Sequence, residues 1–409
     1  MAELPLGGLL RSPRDVLFGA GTRTAVPAAA ARLGRRALVV TDPRLAADPA
    51  ATELVDGLRT AGLDVAVHDT AASELPVEDA AALAELARRQ GTDVLVGFGG
   101  GSCLDLAKLA AVLLAHGGRP QDYYGEDRVP GPVAPVVAVP TTAGTGSEAT
   151  PVAVVTDAER ATKVGVSSRH LVPHTAVVDP ELALTCPPSV TAAAGADALS
   201  HCVEAFTAVR RDAGELSGSR VFVGRGVLTD HWALLGARSA ATHLRRSVEH
   251  GDDLEARTGM ALAALAGGLA FGTAGTAAAH ALQYPLGALT HTPHGVGVGL
   301  LLPYVMAFTA PVVGDRLAEL ADALGVPADR RTGPDHGTVV AVADLLSGAG
   351  IPRTLAELGV GESDLPALAA ASQSARRLVE NSPRPFDEPA ALALLRAAHT
   401  GDLSVAGAA

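Results

Sequence analysis

Apolar and polar positions alternate in two distinct rhythms along the chain. In the first half, short apolar runs end in polar turn residues and are separated by segments of helical spacing. Arg36 to Asp42, Leu63 to Val67, Asp93 to Phe98 and Val133 to Val139 read as buried strands. Residues 49–61, 77–90 and 103–115 read as helices between them, and Glu78 and Asp79 stand in a first turn, where the helix dipole favours acids. This βαβ rhythm predicts a parallel sheet covered by helices. From about Pro187 the pattern changes: Ala- and Leu-rich helical spacing dominates and β-branched runs become scarce. The chain is therefore expected to divide at Cys186-Pro187-Pro188, into an α/β domain (1–186) and an all-α domain (187–409). Residues 209–230, charged and glycine-rich, read as a surface excursion, and residues 381–389 as a proline-rich turn before a last helix.

Composition narrows the possible functions. The 409 residues carry 44 acidic and 32 basic side chains, a net charge of −12, which weighs against nucleic acid as a partner. Aromatic residues are 3% of the chain, too few for base-stacking platforms. Residues 258–314 hold no Asp, Glu, Lys or Arg, but they mix Gly, Ala and Thr with His280, His291, His294 and prolines. That mixture favours a buried core with polar function over a membrane span. The N-terminal residues show no secretory pattern, so a cytoplasmic location is expected. Three cysteines without a CxxC pair suggest neither a disulfide framework nor a thiolate metal site, and the thirteen histidines leave nitrogen and carboxylate ligands as the alternative.

Four features carry chemistry. Gly99-Gly100-Gly101-Ser102 lies between a strand and a helix, where free N–H groups meet an anion and glycine lets the backbone approach a phosphate; its spacing is not GxGxxG, so it reads equally as a tight turn. Pro140 to Glu148 forms a second Gly/Thr loop after another strand, and two such loops at strand carboxyl ends point to a nucleotide crevice. Asp42 ends an early strand, where it is either a ribose acceptor that repels a 2′-phosphate or a plain turn residue before Pro43. Asp197 and His201 stand at i and i+4 on a helix, and His280 and His294 lie 14 residues apart in the uncharged segment, a loop over 286–293 returning the second. Three imidazoles and a carboxylate suit Fe²⁺ or Zn²⁺. His170 and His174 read as surface residues, His291 as a neighbour of the pocket, and Cys103 and Cys202 as small packing residues.

Taken together, GGGSCLDLAK (99–108), PTTAGTGSE (140–148), GADALSHCVEAF (195–206) and HALQYPLGALTHTPHG (280–295) resemble the iron-containing (group III) alcohol dehydrogenase family. The resemblance runs from Phe18-Gly19-Ala20-Gly21 to Asn381-Ser382-Pro383-Arg384-Pro385. It implies the dehydroquinate synthase-like fold: an N-terminal dinucleotide-binding domain and a helical metal-binding domain, with NAD and metal meeting between them. By motif, Asp197, His201, His280 and His294 would be the metal ligands. Gly99, Gly100, Gly101 and Ser102 would hold the pyrophosphate, with Asp105 in the same motif. Thr141 and Thr142 would line the nicotinamide side, Thr145 would also bind the cofactor, Lys163 would stand at the ribose, and Asp42 would favour NAD over NADP. The metal would act as a Lewis acid on an alcohol or aldehyde, and hydride would pass to or from the nicotinamide. A homodimer is expected. The chain departs from the family at Tyr284, where a histidine is usual; a phenol with a pKa of about 10 is a poor base at neutral pH. Cys103 replaces a usual proline, and the spacing from His201 to His280 is long. A maleylacetate-reductase-like enzyme is an alternative, disfavoured because residues 258–314 offer no basic group; a lyase resembling dehydroquinate synthase is another.

Overall fold

The computed structural model describes residues 7–159, 162–212, 214–215, 218, 220–331 and 337–404. The chain forms two compact units. One comprises residues 11–185 with Arg220 and Val221; the other comprises residues 186–218 and 222 onward, together with residues 7–10.

The first unit contains β1 (Asp15–Phe18), α1 (Val26–Ala31), β2 (Arg36–Val40), α2 (Pro43–Ala46), α3 (Pro49–Thr60), β3 (Asp64–His68), α4 (Val77–Gln90), β4 (Val94–Gly99) and α5 (Gly101–His116). It continues through β5 (Gly125–Glu126), β6 (Val136–Pro140), β7 (Val152–Asp157), β8 (Thr162–Ser167) and β9 (Thr175–Val178). Six strands pair in the order β1-β9-β6-β4-β2-β3, all parallel. Alternate residues of the central strands enter separate cores. Leu38, Val40 and Leu95 pack with α4 and α5, while Ala37, Val39, Val94, Val96 and Phe98 pack with α1 and α3. Burial on both faces explains why these strands read as continuous apolar runs. Local signals set the helix ends: Asp48 accepts the Ala50 N–H (2.9 Å) ahead of Pro49, and Gly91 closes α4 in the left-handed region (φ 63°).

The parallel expectation needs one correction. β7 and β8 form an antiparallel hairpin in a small second sheet with β5, and the short edge strand β1 also escapes the periodicity reading.

The second unit is helical among its described residues: α6 (Pro188–Thr207), α7 (Val227–Glu249), α8 (Leu254–Ala274), α9 (Ala278–Thr290), α10 (His294–Leu324), α11 (Gly337–Gly348), α12 (Leu365–Ser372), α13 (Arg376–Glu380) and α14 (Glu388–Thr400). α10 is long and apolar enough to cross a membrane, but most of it is buried inside the protein, and it breaks at Val313 beyond two internal prolines. The surface excursion at 209–230 is corrected in part. Residues 213, 216, 217 and 219 lie outside the described ones, but Val221, Phe222 and Val223 are buried and Val227 already starts α7. The 381–389 turn likewise has a buried end, where the Asn381 side-chain amide donates to the carbonyls of Ala274 (3.0 Å) and Thr276 (3.2 Å) and ties down the chain between α8 and α9.

Candidate functional site

Two groups of candidate residues come together, one in each unit. In the helical unit, α6 carries Asp197 and His201 on one face, α9 carries His280 near its start, and α10 begins at His294. The loop expected over 286–293 is shorter in the structure. α9 runs to Thr290, and a left-handed His291 (φ 54°) turns the chain into α10. His291 is exposed at that turn, outside the cluster. His170 and His174 are half-buried rather than superficial.

Asp197 Oδ1 is the hub of the cluster. Nε2 of His201 lies 3.5 Å from it, and Nε2 of His280 and of His294 each lie 3.6 Å away. The donor atoms of Asp197, His280 and His294 are all within 4.8 Å of one another. Asp197, His201 and His280 are buried, while the His294 side chain is 33% exposed and forms the open side. Neither Asp197 Oδ1 nor His280 Nε2 makes a hydrogen bond, an expensive condition for buried polar atoms. The spacing is long for hydrogen bonding but suits ligands around one ion: bonds of about 2.1 Å put tetrahedral neighbours about 3.4 Å apart. Charge agrees with geometry. Asp197 and Glu204 are two buried carboxylates whose strongest partners are histidines, so neutral imidazoles leave a charge that a divalent cation balances. The residues therefore fit a divalent metal.

Electrostatics follow from this crowding. Burial pushes the Asp197 carboxyl up, but His201, His294 and His280 outweigh it and hold the group below its usual range. Burial pulls the His280 imidazole down, yet Glu204 and Asp197 raise it to about 9. The His201 ring stacks between Phe271 (centroids 4.0 Å apart) and His280 (5.0 Å). Tyr284 follows His280 by one turn of α9. Burial lifts its phenol above the usual value, opposed by Arg377 and assisted by Glu204 and Asp197.

Glu204, Phe271 and Arg377 escaped the sequence reading. Glu204 had a legible signal, since it continues the face of Asp197 and His201 at i+7. Arg377 had none. It comes from α13, with its guanidinium 4.2 Å over the Phe222 ring, so the absence of basic residues in 258–314 did not exclude a cation near Tyr284.

In the α/β unit the chain reverses direction across the sheet between β2 and β4, the place where open parallel sheets bind ligands. Loops leave the carboxyl ends of β2 at Asp42, of β4 at Gly99 to Ser102 and of β6 at Thr141 to Thr145. A side chain at Gly101 would meet Thr145 Cγ2 at 2.7 Å, and one at Gly99 would meet Cys103 Sγ at 2.5 Å, so packing alone demands both glycines. Gly100 differs: its nearest neighbours, Thr142 Cγ2 and Oγ1, are at an ordinary 3.7 Å. Packing leaves room for a Cβ there, and the space opens at the N-terminus of α5, which no side chain caps. That cradle fits a phosphate.

Asp42 is a helix cap in the structure, its Oδ1 accepting the Leu45 N–H (2.9 Å). Asp105 braces the 140–148 loop: its oxygens accept the Ser147 hydroxyl (2.6 Å) and the Val154 N–H (2.9 Å). Thr141 is buried and Thr142 half-buried. Lys163 lies on β8, away from the main sheet, and pairs with Glu74 (3.0 Å).

Comparison with known proteins agrees with these two groups. Residues 13–180 match the iron-containing alcohol dehydrogenase model, and residues 191–399 the C-terminal model of the Fe-containing alcohol dehydrogenase family. Long-chain-alcohol dehydrogenase 1 of Geobacillus thermodenitrificans is 36% identical over 91% of this chain and 92% of its own. The NAD-dependent methanol dehydrogenase of Bacillus methanolicus is 35% identical over 82% and 85%. The crystal structure of a 1,3-propanediol oxidoreductase superposes with a TM-score of 0.87 at 32% identity, covering 95% of this chain and 99% of that one.

Proposed function

The chain belongs to the iron-containing alcohol dehydrogenase family and is an NAD-dependent oxidoreductase of alcohols and aldehydes, and we propose how its residues divide that work. Asp197, His201, His280 and His294 hold a divalent ion, iron or alternatively zinc. The observation that carries this reading is the ring of three imidazole nitrogens at 3.5 to 3.6 Å around an Asp197 oxygen that makes no hydrogen bond. An ion held there supplies Lewis-acid chemistry, which makes a substrate hydroxyl more acidic or a carbonyl more electrophilic.

The remaining residues bind and orient. His294, the least buried of the four, marks the side from which substrate enters. Tyr284 keeps its proton at neutral pH and donates a hydrogen bond to substrate, so it does not replace the family histidine as a base. Gly100, Gly101 and Ser102 offer backbone N–H groups to the NAD pyrophosphate at the start of α5, and Thr142 and Thr145 flank them. The Asp42 oxygen not committed to the helix cap accepts from the ribose. Residues 1–186 serve as the dinucleotide domain and 187–409 as the metal and substrate domain. A cytoplasmic homodimer completes the reading.

The test starts from metal-free protein, reloaded with Fe²⁺ or Zn²⁺ and supplied with NAD and a panel of alcohols, or NADH and a panel of aldehydes. Metal-dependent change in NADH absorbance is expected, and its absence with every ion and substrate rules the reading out. Net NADH formation also separates a dehydrogenase from a lyase that recycles its cofactor. His280→Ala should lose metal and turnover together while keeping the wild-type circular dichroism spectrum; full metal stoichiometry in that variant would refute the ligand assignment.

A further inference from the structure

Glu204 is not among the proposed ligands, yet it is as buried as Asp197, His201 and His280. α6 places it one turn beyond His201, and its carboxylate accepts three hydrogen bonds from a single stretch of four residues. Oε1 takes the Ala279 N–H (2.7 Å), and Oε2 takes the Ala277 N–H (3.1 Å) and Nδ1 of His280 (2.5 Å). That stretch begins α9, just past a 104° bend from α8. α9 has no cap of its own, because Ala277 stands at the capping position. A carboxylate from another helix thus satisfies N–H groups that the local sequence leaves open.

We infer that Glu204 is a positioning residue that sets metal affinity by fixing which nitrogen of His280 carries the proton; the inference rests on the ligand reading above. An ionised carboxylate only accepts hydrogen bonds, and a neutral imidazole has one N–H. With Glu204 against Nδ1, that N–H stays on Nδ1, and Nε2 presents its lone pair toward Asp197 Oδ1. The backbone bonds to Ala277 and Ala279 hold the start of α9 in place, so one side chain sets both the ring's position and its tautomer.

Glu204→Gln removes the charge and keeps the size of the side chain. Glutamine has one acceptor oxygen for three donors, and its amide can donate to Nδ1. That bond moves the ring proton to Nε2, which can then no longer bind a metal. The measurement is the affinity of the full-length protein for Zn²⁺ alone, against a competing chelator, with circular dichroism as the check on folding. Glu204→Gln should keep the wild-type spectrum and bind Zn²⁺ about 10- to 100-fold more weakly. A folded variant with wild-type affinity overturns the inference, whereas a wild-type protein that takes up no Zn²⁺ defeats the ligand reading instead. A second measurement does not depend on the variant folding. In ¹H–¹⁵N spectra of the Zn²⁺-loaded wild type, one histidine Nδ1 proton should lie far downfield, as a bond to a carboxylate requires, and its absence also overturns the role of Glu204.

Discussion

Glu148, at the end of the second glycine loop, is 2% exposed, and burial raises its carboxyl to about 7 against the pull of Lys108. Lys108 is buried beside it, lowered to about 8 by burial, and donates to the carbonyls of Thr150 (3.1 Å) and Val152 (2.9 Å). A carboxyl raised on folding binds its proton more tightly in the folded state. Its contribution to stability is therefore complete below the unfolded pKa and is lost as pH rises toward 7. Glutamine has no proton to lose, so the stability of Glu148→Gln relative to wild type should grow between pH 4.5 and 7.5, by up to about 3 kcal/mol. Urea midpoints of both proteins across that range check it, and a difference that stays flat with pH would show that Glu148 does not titrate there. At this scale legibility depended on sequence distance. Asp197 and His201 share a helix turn and were found by periodicity; Glu204 continues their face, a signal that was present but passed over. Phe271, Arg377 and Asn381 reach the site or its supporting bend only through tertiary packing, and no local pattern marks them.

Among the elements, α10 shows what the glycines after His294 do. A Cβ at Gly295 would stand 1.9 Å from the Ala193 carbonyl oxygen on α6, and one at Gly297 would stand 1.8 Å from Gln283 Oε1 on α9. The first turn of α10 thus lies directly against the α6 backbone and the Gln283 side chain, which brings His294 to Asp197. Gly295→Ala should push that turn away and weaken Zn²⁺ binding by at least about tenfold, since the support of a ligand is worth about that much. Helix content should stay at the wild-type level. Unchanged affinity in a folded Gly295→Ala protein would mean that α10 adjusts without moving His294. In the first half, the helices over 49–61, 77–90 and 103–115 were readable within a few residues of their ends. The β7–β8 hairpin and β1 were not: β1 has only four residues, and polar residues or glycine interrupt the apolar runs of the hairpin strands VAVVTD and TKVGVS. The turn between α9 and α10 was read as too long, because a histidine in the left-handed region leaves no mark in the pattern.

For the molecule as a whole, the metal candidates and the phosphate cradle belong to different compact units, each with its own packing. The two binding events should therefore be separable. Gly100→Asp, at a position where packing leaves room for a Cβ, sets a negative charge in the cradle and should abolish the fluorescence change on NADH binding while Zn²⁺ stoichiometry is kept. His280→Ala should do the reverse. Loss of both functions in either folded variant would contradict the assignment. The change from βαβ rhythm to helical spacing gave a boundary at Cys186, beside the observed division. The return of Arg220 and Val221 to the first unit depends on long-range bonds, from Arg11 to the Val221 carbonyl and from the Val221 N–H to Glu126, which no local pattern predicts. The cysteines have a practical consequence. All three are buried, and burial raises the thiols of Cys103 and Cys202 to about 12, so those two offer no thiolate at neutral pH. A cysteine placed at an exposed position such as Ser363 would be the one fast-reacting thiol, and a maleimide dye should label it once per chain without removal of any native cysteine.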